Sequence, residues 1–220
     1  MVDLGYGASP ITTVEMAGRL RTVRRDIEVV GIEIDADRVR AAAAYAEPGL
    51  TFVRGGFELG PLAGRRPVVV RAMNVLRQYD EAEARAAWLQ VCARLADDGA
   101  FIEGTCDEIG RLATWVHLDR SGPLTLTLAA RLGSLDQPSR LAERLPKALI
   151  HHNVDGQPIH ALLTALDVAW AQSAPTSVFG ARQRWVATLQ RIAADWRLVG
   201  DPRRHALGEV TLAWDAVAPT

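Results

Sequence analysis

Strand-like and helix-like segments alternate five times in roughly the first hundred residues, and this alternation limits the fold more than any other feature of the chain. Residues 1–4 form a short apolar run that breaks at Gly5 and Gly7. Residues 12–25 follow with Val14, Ala17, Leu20 and Val23 three apart and with Thr12 and Glu15 in capping-box spacing, which predicts a helix. Residues 28–35 give a second strand, and Asp35 or Asp37 can cap the alanine-rich helix that runs to about Ala46. Residues 50–53 and 67–75 are the third and fourth strands. Residues 80–96 form an amphipathic helix with Trp88, Leu89, Cys92 and Leu95 on one side, and residues 100–105 are the fifth strand. Such a βαβ succession gives a parallel sheet with helices on both faces, and ligands of these sheets sit outside the carboxyl ends of the strands.

The second half reads differently. Residues 114–118 and 124–130 are strand-like around a turn at Asp119–Pro123, which predicts a hairpin. Residues 141–150, 158–172 and 179–194 read as helices. Residues 196–199 and 209–217 are a closing pair of strands on a short link, antiparallel because a parallel return needs a longer crossover. The expected architecture is an α/β, Rossmann-like, doubly wound and mostly parallel sheet with a C-terminal antiparallel hairpin and a helical insertion.

Composition narrows the function classes. Lysine and arginine number 25 against 26 aspartates and glutamates, Lys147 is the single lysine, and no basic stripe supports a nucleic-acid surface. Cys92 and Cys106 have neither metal-type nor disulfide-framework spacing, which fits a reducing compartment. With no apolar run long enough to span a membrane and no signal segment, the expectation is a cytoplasmic protein. Only four residues precede Gly5, so either the first strand is short or the natural chain extends upstream.

The Gly5–Gly7 turn is a nucleotide-loop pattern, since glycine lets the main chain approach a ligand and the following helix offers unpaired N–H groups. A nicotinamide fingerprint needs a third glycine where this chain has Pro10, and an acid at Asp3 would face a pyrophosphate. An ammonium-bearing ligand suits Asp3 better.

At these residues the sequence resembles the class I S-adenosylmethionine-dependent methyltransferases. Asp3-Leu-Gly5-Tyr-Gly7-Ala-Ser9 is similar to their first motif, with Ser9 replacing its last glycine. Val30-Gly-Ile-Glu33 is similar to the second, which makes Glu33 the candidate for the ribose hydroxyls and lays Ile34 against adenine. Asp35 rivals Glu33 but fits a helix cap better. Gly56 stands where the family often carries an acid for the adenine amino group, and Phe57 offers apolar contact instead. Arg71, Ala72 and Asn74, at the end of the fourth strand, fall near the sulfonium. The likeness spans about residues 1–107 in motif order and 176–217 in shape, and the whole looks like the methyltransferase-fold proteins of high-GC actinobacteria that have no assigned substrate.

The resemblance implies S-adenosyl-L-methionine as cofactor, with Asp3, Gly5, Tyr6, Gly7, Glu33, Ile34, Gly56, Phe57, Arg71, Ala72 and Asn74 around it. It implies methyl transfer to a small-molecule acceptor, with a non-catalytic protein that binds the cofactor or S-adenosylhomocysteine as the alternative. Residues 1–220 form one methyltransferase-like domain in which 112–175 is an inserted substrate-recognition lobe. Tyr79, Asp107, Glu108 and His151 are the candidates for the acceptor's side, and no single catalytic residue stands out. His151 and His152 point apart and find no third ligand beyond His160, so no metal is expected.

Overall fold

The computed structural model describes residues 1–220. Its strands are β1 (Val2–Leu4), β2 (Val29–Glu33), β3 (Leu50–Arg54), β4 (Val69–Met73), β5 (Ala100–Cys106), β6 (Leu112–Asp119), β7 (Gly122–Ala130), β8 (Leu198–Val199) and β9 (Glu209–Ala213). They form a nine-stranded mixed sheet in the order β3-β2-β1-β4-β5-β6-β7-β9-β8. The helices are α1 (Ile11–Val23), α2 (Ala36–Ala42), α3 (Glu81–Arg94), α4 (Lys147–Ile150), α5 (Pro158–Gln172) and α6 (Ala181–Ile192), with 3-10 turns between them. No helix is long and apolar enough to cross a membrane. The chain divides into two compact units, Met1–Gln78 with Ala82–Glu103 and Leu118–Gly122, and Tyr79–Glu81 with Gly104–His117 and Pro123–Thr220.

In the first unit, β1 pairs in parallel with β2 and with β4, and β2 pairs in parallel with β3. One row across these strands reads Phe52, Gly31, Asp3, Arg71. The row explains Gly31. A Cβ there would lie 2.6 Å from the Phe52 ring and 3.1 Å from Tyr6, which meets Phe52 edge-on with centroids 5.3 Å apart. Helix α1 buries Thr13 and Ala17, and Ala17 packs with Val29 and Leu50. The capping box read at Thr12 and Glu15 does not form, because the helix begins at Ile11 with Pro10 at the N-cap and no side-chain cap. Helix α2 is capped by Asp35, whose carboxylate accepts from the N–H groups of Asp37 and Arg38. In α3 the buried stripe is Ala84, Ala87, Trp88, Val91 and Cys92, while Leu89 is exposed, a helical step of 100° past Trp88.

In the second unit, β9 pairs antiparallel with both β7 and β8, and Thr127 and Thr211 hydroxyls meet across β7 and β9 at 2.9 Å. Residues 112–119 and 122–130 of the expected insertion are thus strands of the sheet, and its helical part begins with the 3-10 turn Leu132–Ser134. The helix read at 141–150 is instead a 3-10 stretch, Pro138–Arg144, followed by the four-residue α4. Pro146 is the cause, since it forces Leu145 into an extended conformation and has no N–H to donate. Helices α5 and α6 lock through Trp170 and Trp185, edge-on at 6.4 Å, with the Arg184 guanidinium 3.8 Å above the Trp170 ring.

Candidate functional site

The carboxyl ends of β1, β2 and β4 carry the loops that the sequence singles out. Gly5 leaves the β1 ladder with φ +69°, and its N–H donates to the Ile32 carbonyl at 2.7 Å. A Cβ on Gly5 would sit 2.6 Å from Val75 Cγ2, so the loop from β4 packs directly onto it. Gly7 also has a positive φ, +79°, but nothing lies within 4 Å of where its Cβ would be. The first glycine is there for packing; the second leaves open space. Asn74 adopts φ +63°, a left-handed conformation that asparagine tolerates better than most residues. It follows β4 directly, and non-glycine residues in this region gather at functional sites.

Two buried acids hold this end of the unit together. Asp3, 1% exposed, accepts from the Thr13 hydroxyl at 2.6 Å and pairs with Arg71 at 2.8 Å. It therefore ties β1 to the start of α1 and to β4. Glu33, 4% exposed, closes β2 and accepts main-chain N–H bonds from Gly7 at 2.9 Å, Ile34 at 2.9 Å and Asp35 at 3.2 Å. Arg38 stands 3.8 Å from its second oxygen. An ionised carboxylate offers about four acceptor positions, so with three N–H donors in place Glu33 keeps capacity for a hydroxyl. Beside it Ile34 is 65% exposed, an apolar shelf whose carbonyl is held by Arg54 Nε at 3.0 Å.

The other expected contacts separate. The Tyr6 ring is taken up by Phe52 and Gly31, and its hydroxyl is buried with no hydrogen-bond partner. Burial first, and then the negative charge of Glu33, push the phenol up to about 12. Tyr6 thus stays neutral and contributes main chain to the loop. Ala72 is fully buried core. Phe57 is half-buried. The Gly56 N–H donates to Glu58 at 2.9 Å, so an exposed carboxylate two residues on folds back to the place where the sequence has glycine. Asp35 is spent on capping α2. A cavity lined by Val2, Ile27, Val30, Leu62 and Val69 opens at the amino ends of these strands, the opposite edge from the loops.

Tyr79, Asp107, Glu108 and His151 all fall in the second unit. Asp107 builds the turn between β5 and β6, accepting from the Arg111 N–H at 2.6 Å. Glu108 and His151 are exposed, and Tyr79 is half-buried. The arranged histidine is the neighbour that the sequence passed over. His152 Nε2 lies 3.0 and 3.2 Å from the two oxygens of Glu81, the first residue of α3, and both side chains are about a quarter exposed. No spacing signal joins residues 71 positions apart. Cys92 is buried, and burial pushes its thiol up to about 11, which keeps it inert at neutral pH. No group of three His, Cys, Asp or Glu side chains has the geometry to hold a metal ion.

Part of the chain is similar to parts of solved structures. One is the CcbJ methyltransferase from Streptomyces caelestis, 21% identical, with 58% of each chain covered and a TM-score of 0.38. Another is the glycopeptide N-methyltransferase MtfA, 20% identical over 47% of this chain and 44% of that one, TM-score 0.37. A third is DhpI in complex with SAH, 13% identical over 55% of this chain and 54% of that one, TM-score 0.37. The chain therefore covers less than two thirds of each of these proteins. No protein-family model and no curated protein matches the sequence. At these scores the functional reading rests on the residues of the site.

Proposed function

We propose that this protein is an S-adenosylmethionine-dependent methyltransferase acting on a small-molecule acceptor. Glu33 carries the reading. A nearly buried carboxylate at the end of β2, oriented by three main-chain N–H groups and bordered by an exposed isoleucine and an open glycine, suits a ribose diol with a flat heterocycle beside it. When bound, S-adenosylmethionine supplies a methyl group already activated by its sulfonium. Glu33 accepts from a ribose hydroxyl, Ile34 receives adenine, and Glu58, held at Gly56, offers the acid that the adenine amino group calls for. Gly7 admits the ligand because it carries no side chain. Asp3 acts through the loop: its bonds to Thr13 and Arg71 set where Gly5 and Gly7 lie.

Orientation of the acceptor for in-line displacement supplies the larger share of such a reaction, on the order of 7 to 11 kcal/mol. An acceptor that sheds a proton as it attacks also needs a base. In the second unit Glu81 holds one ring nitrogen of His152. We assign acceptor recognition to residues 112–175, and the near balance of charge favours a small molecule over nucleic acid.

Thermal unfolding tests the reading cheaply. S-adenosylhomocysteine at a hundred times its dissociation constant should add about 2.7 kcal/mol of stability, and a nicotinamide dinucleotide should add none. A response to the nicotinamide cofactor alone would overturn the proposal.

A further inference from the structure

Arg144 ends the 3-10 stretch Pro138–Arg144, and its main chain is pinned from two sides. Thr105, next to last in β5, and Thr114 of β6 are both fully buried, and both donate their hydroxyl protons to the Arg144 carbonyl. A carbonyl has two lone pairs, and both are used here by strand side chains. Leu141 and Leu145 on either side are buried as well, so the backbone from which the guanidinium springs has little freedom.

The guanidinium itself is treated differently. Its Nε is buried and donates to nothing, and no carboxylate pairs with it. Arg184, also half-buried, shows how this unit satisfies such a group elsewhere: its Nε and Nη2 both donate to the Trp170 carbonyl, at 3.1 and 2.9 Å. A buried N–H on a charged group left without an acceptor costs about 1–3 kcal/mol or more. Arg144 bears that cost, and its main chain is held at Thr105, near the carboxyl end of β5, the end of a strand where α/β sheets place ligands. A planar oxyanion that bridges Nε–H and one terminal N–H satisfies the buried donor and the charge together, a geometry that carboxylates and phosphates share.

We propose that Arg144 is an oxyanion-recognition residue, and that the molecule this protein methylates carries a carboxylate or a phosphate. The first half stands on the second unit alone; the second half rests on the methyltransferase reading. The pinned main chain gives the site its pre-organisation, since the side chain is the only part left to order on binding.

The test uses the full chain labelled with ¹⁵N-arginine, in which the Arg144 Nε–H resonance is assigned by its loss in Arg144→Lys. Benzoate and phenyl phosphate are titrated in turn, with benzamide as the neutral control. The expected result is a saturable shift of that resonance by one or both anions and none by benzamide, with binding at least tenfold weaker in Arg144→Lys and in Arg144→Gln. The anion that saturates at the lower concentration names the class. No saturable shift, or equal binding by the variants, overturns the proposal. Calorimetry with S-adenosylhomocysteine on the same samples separates the two claims. Cofactor binding without an oxyanion response removes Arg144 and keeps the methyltransferase reading. An oxyanion response without cofactor binding keeps Arg144 and removes the statement about the methylated molecule.

Discussion

Glu33 and Glu103 are both nearly buried glutamates on strands of the first unit, and their surroundings could hardly differ more. Glu33 ends its strand, where the chain turns and three main-chain N–H groups converge on it. Glu103 lies in mid-strand in β5, 1% exposed, and neither oxygen meets a donor at hydrogen-bonding geometry. Burial pushes its carboxyl up to about 8, and the Trp88 indole, which favours the charged form, offsets little of that. The end of a strand supplies donors because the ladder stops there and frees N–H groups; the middle of a strand has already spent them on its neighbours. One acid is therefore surrounded by donors, while the other is built to stay neutral at neutral pH.

The largest expected effect belongs to Glu103. In the unfolded chain it ionises near 4.5, whereas in the folded protein it holds its proton to about 8. Between these values the native state binds the extra proton, so stability is full below about pH 4.5 and falls as pH rises toward 8. The loss at pH 7 is about 3 kcal/mol. Denaturant titrations of wild type and Glu103→Gln from pH 5 to pH 8 should show this decline in the first and a much flatter profile in the second. Parallel profiles would mean that Glu103 is charged in the fold and that the contrast with Glu33 is false.

Removing Asp3 comes next. Asp3→Ala strands a partly buried Arg71 and frees the Thr13 hydroxyl, and should cost about 3 kcal/mol. Thr13→Val alone should cost about 1 kcal/mol. A cost below that for Asp3→Ala would show that the ion pair does not anchor the loop. The smallest effect is expected at Tyr6, whose buried hydroxyl has no partner. Tyr6→Phe should be neutral or stabilising, by up to about 1 kcal/mol, and a clear loss of stability would reveal a bond from that hydroxyl.

The first unit was the more legible in sequence because its signals are local. A strand ending in an acid, a turn with two glycines and a helix after it lie within twenty-five residues, and the row Phe52, Gly31, Asp3, Arg71 follows from parallel register once the strands are known. What the sequence hid there was the division of labour. Gly5 and Gly7 look alike as letters, and only the position of Val75 tells that one is packed and the other open. Asp3 reads as a ligand contact, yet its bonds go to Thr13 and Arg71. The second unit depends on distant pairs. Glu81 with His152, and Thr105 and Thr114 with the Arg144 carbonyl, are fixed by tertiary packing, and no periodicity reports them. The misread helix at 141–150 fails for a local reason, Pro146, that its apolar spacing outweighed.

The measurement that bears most directly on the account is a calorimetric titration of wild type and Glu33→Gln with S-adenosylmethionine. The amide keeps the shape of the side chain but loses its charge and one acceptor oxygen, and it cannot take hydroxyls and main-chain N–H groups together. One site per chain is expected in the wild type and at least tenfold weaker binding in the variant, with the folded state intact by circular dichroism. No binding to wild type, or equal affinity in the two proteins, would contradict it.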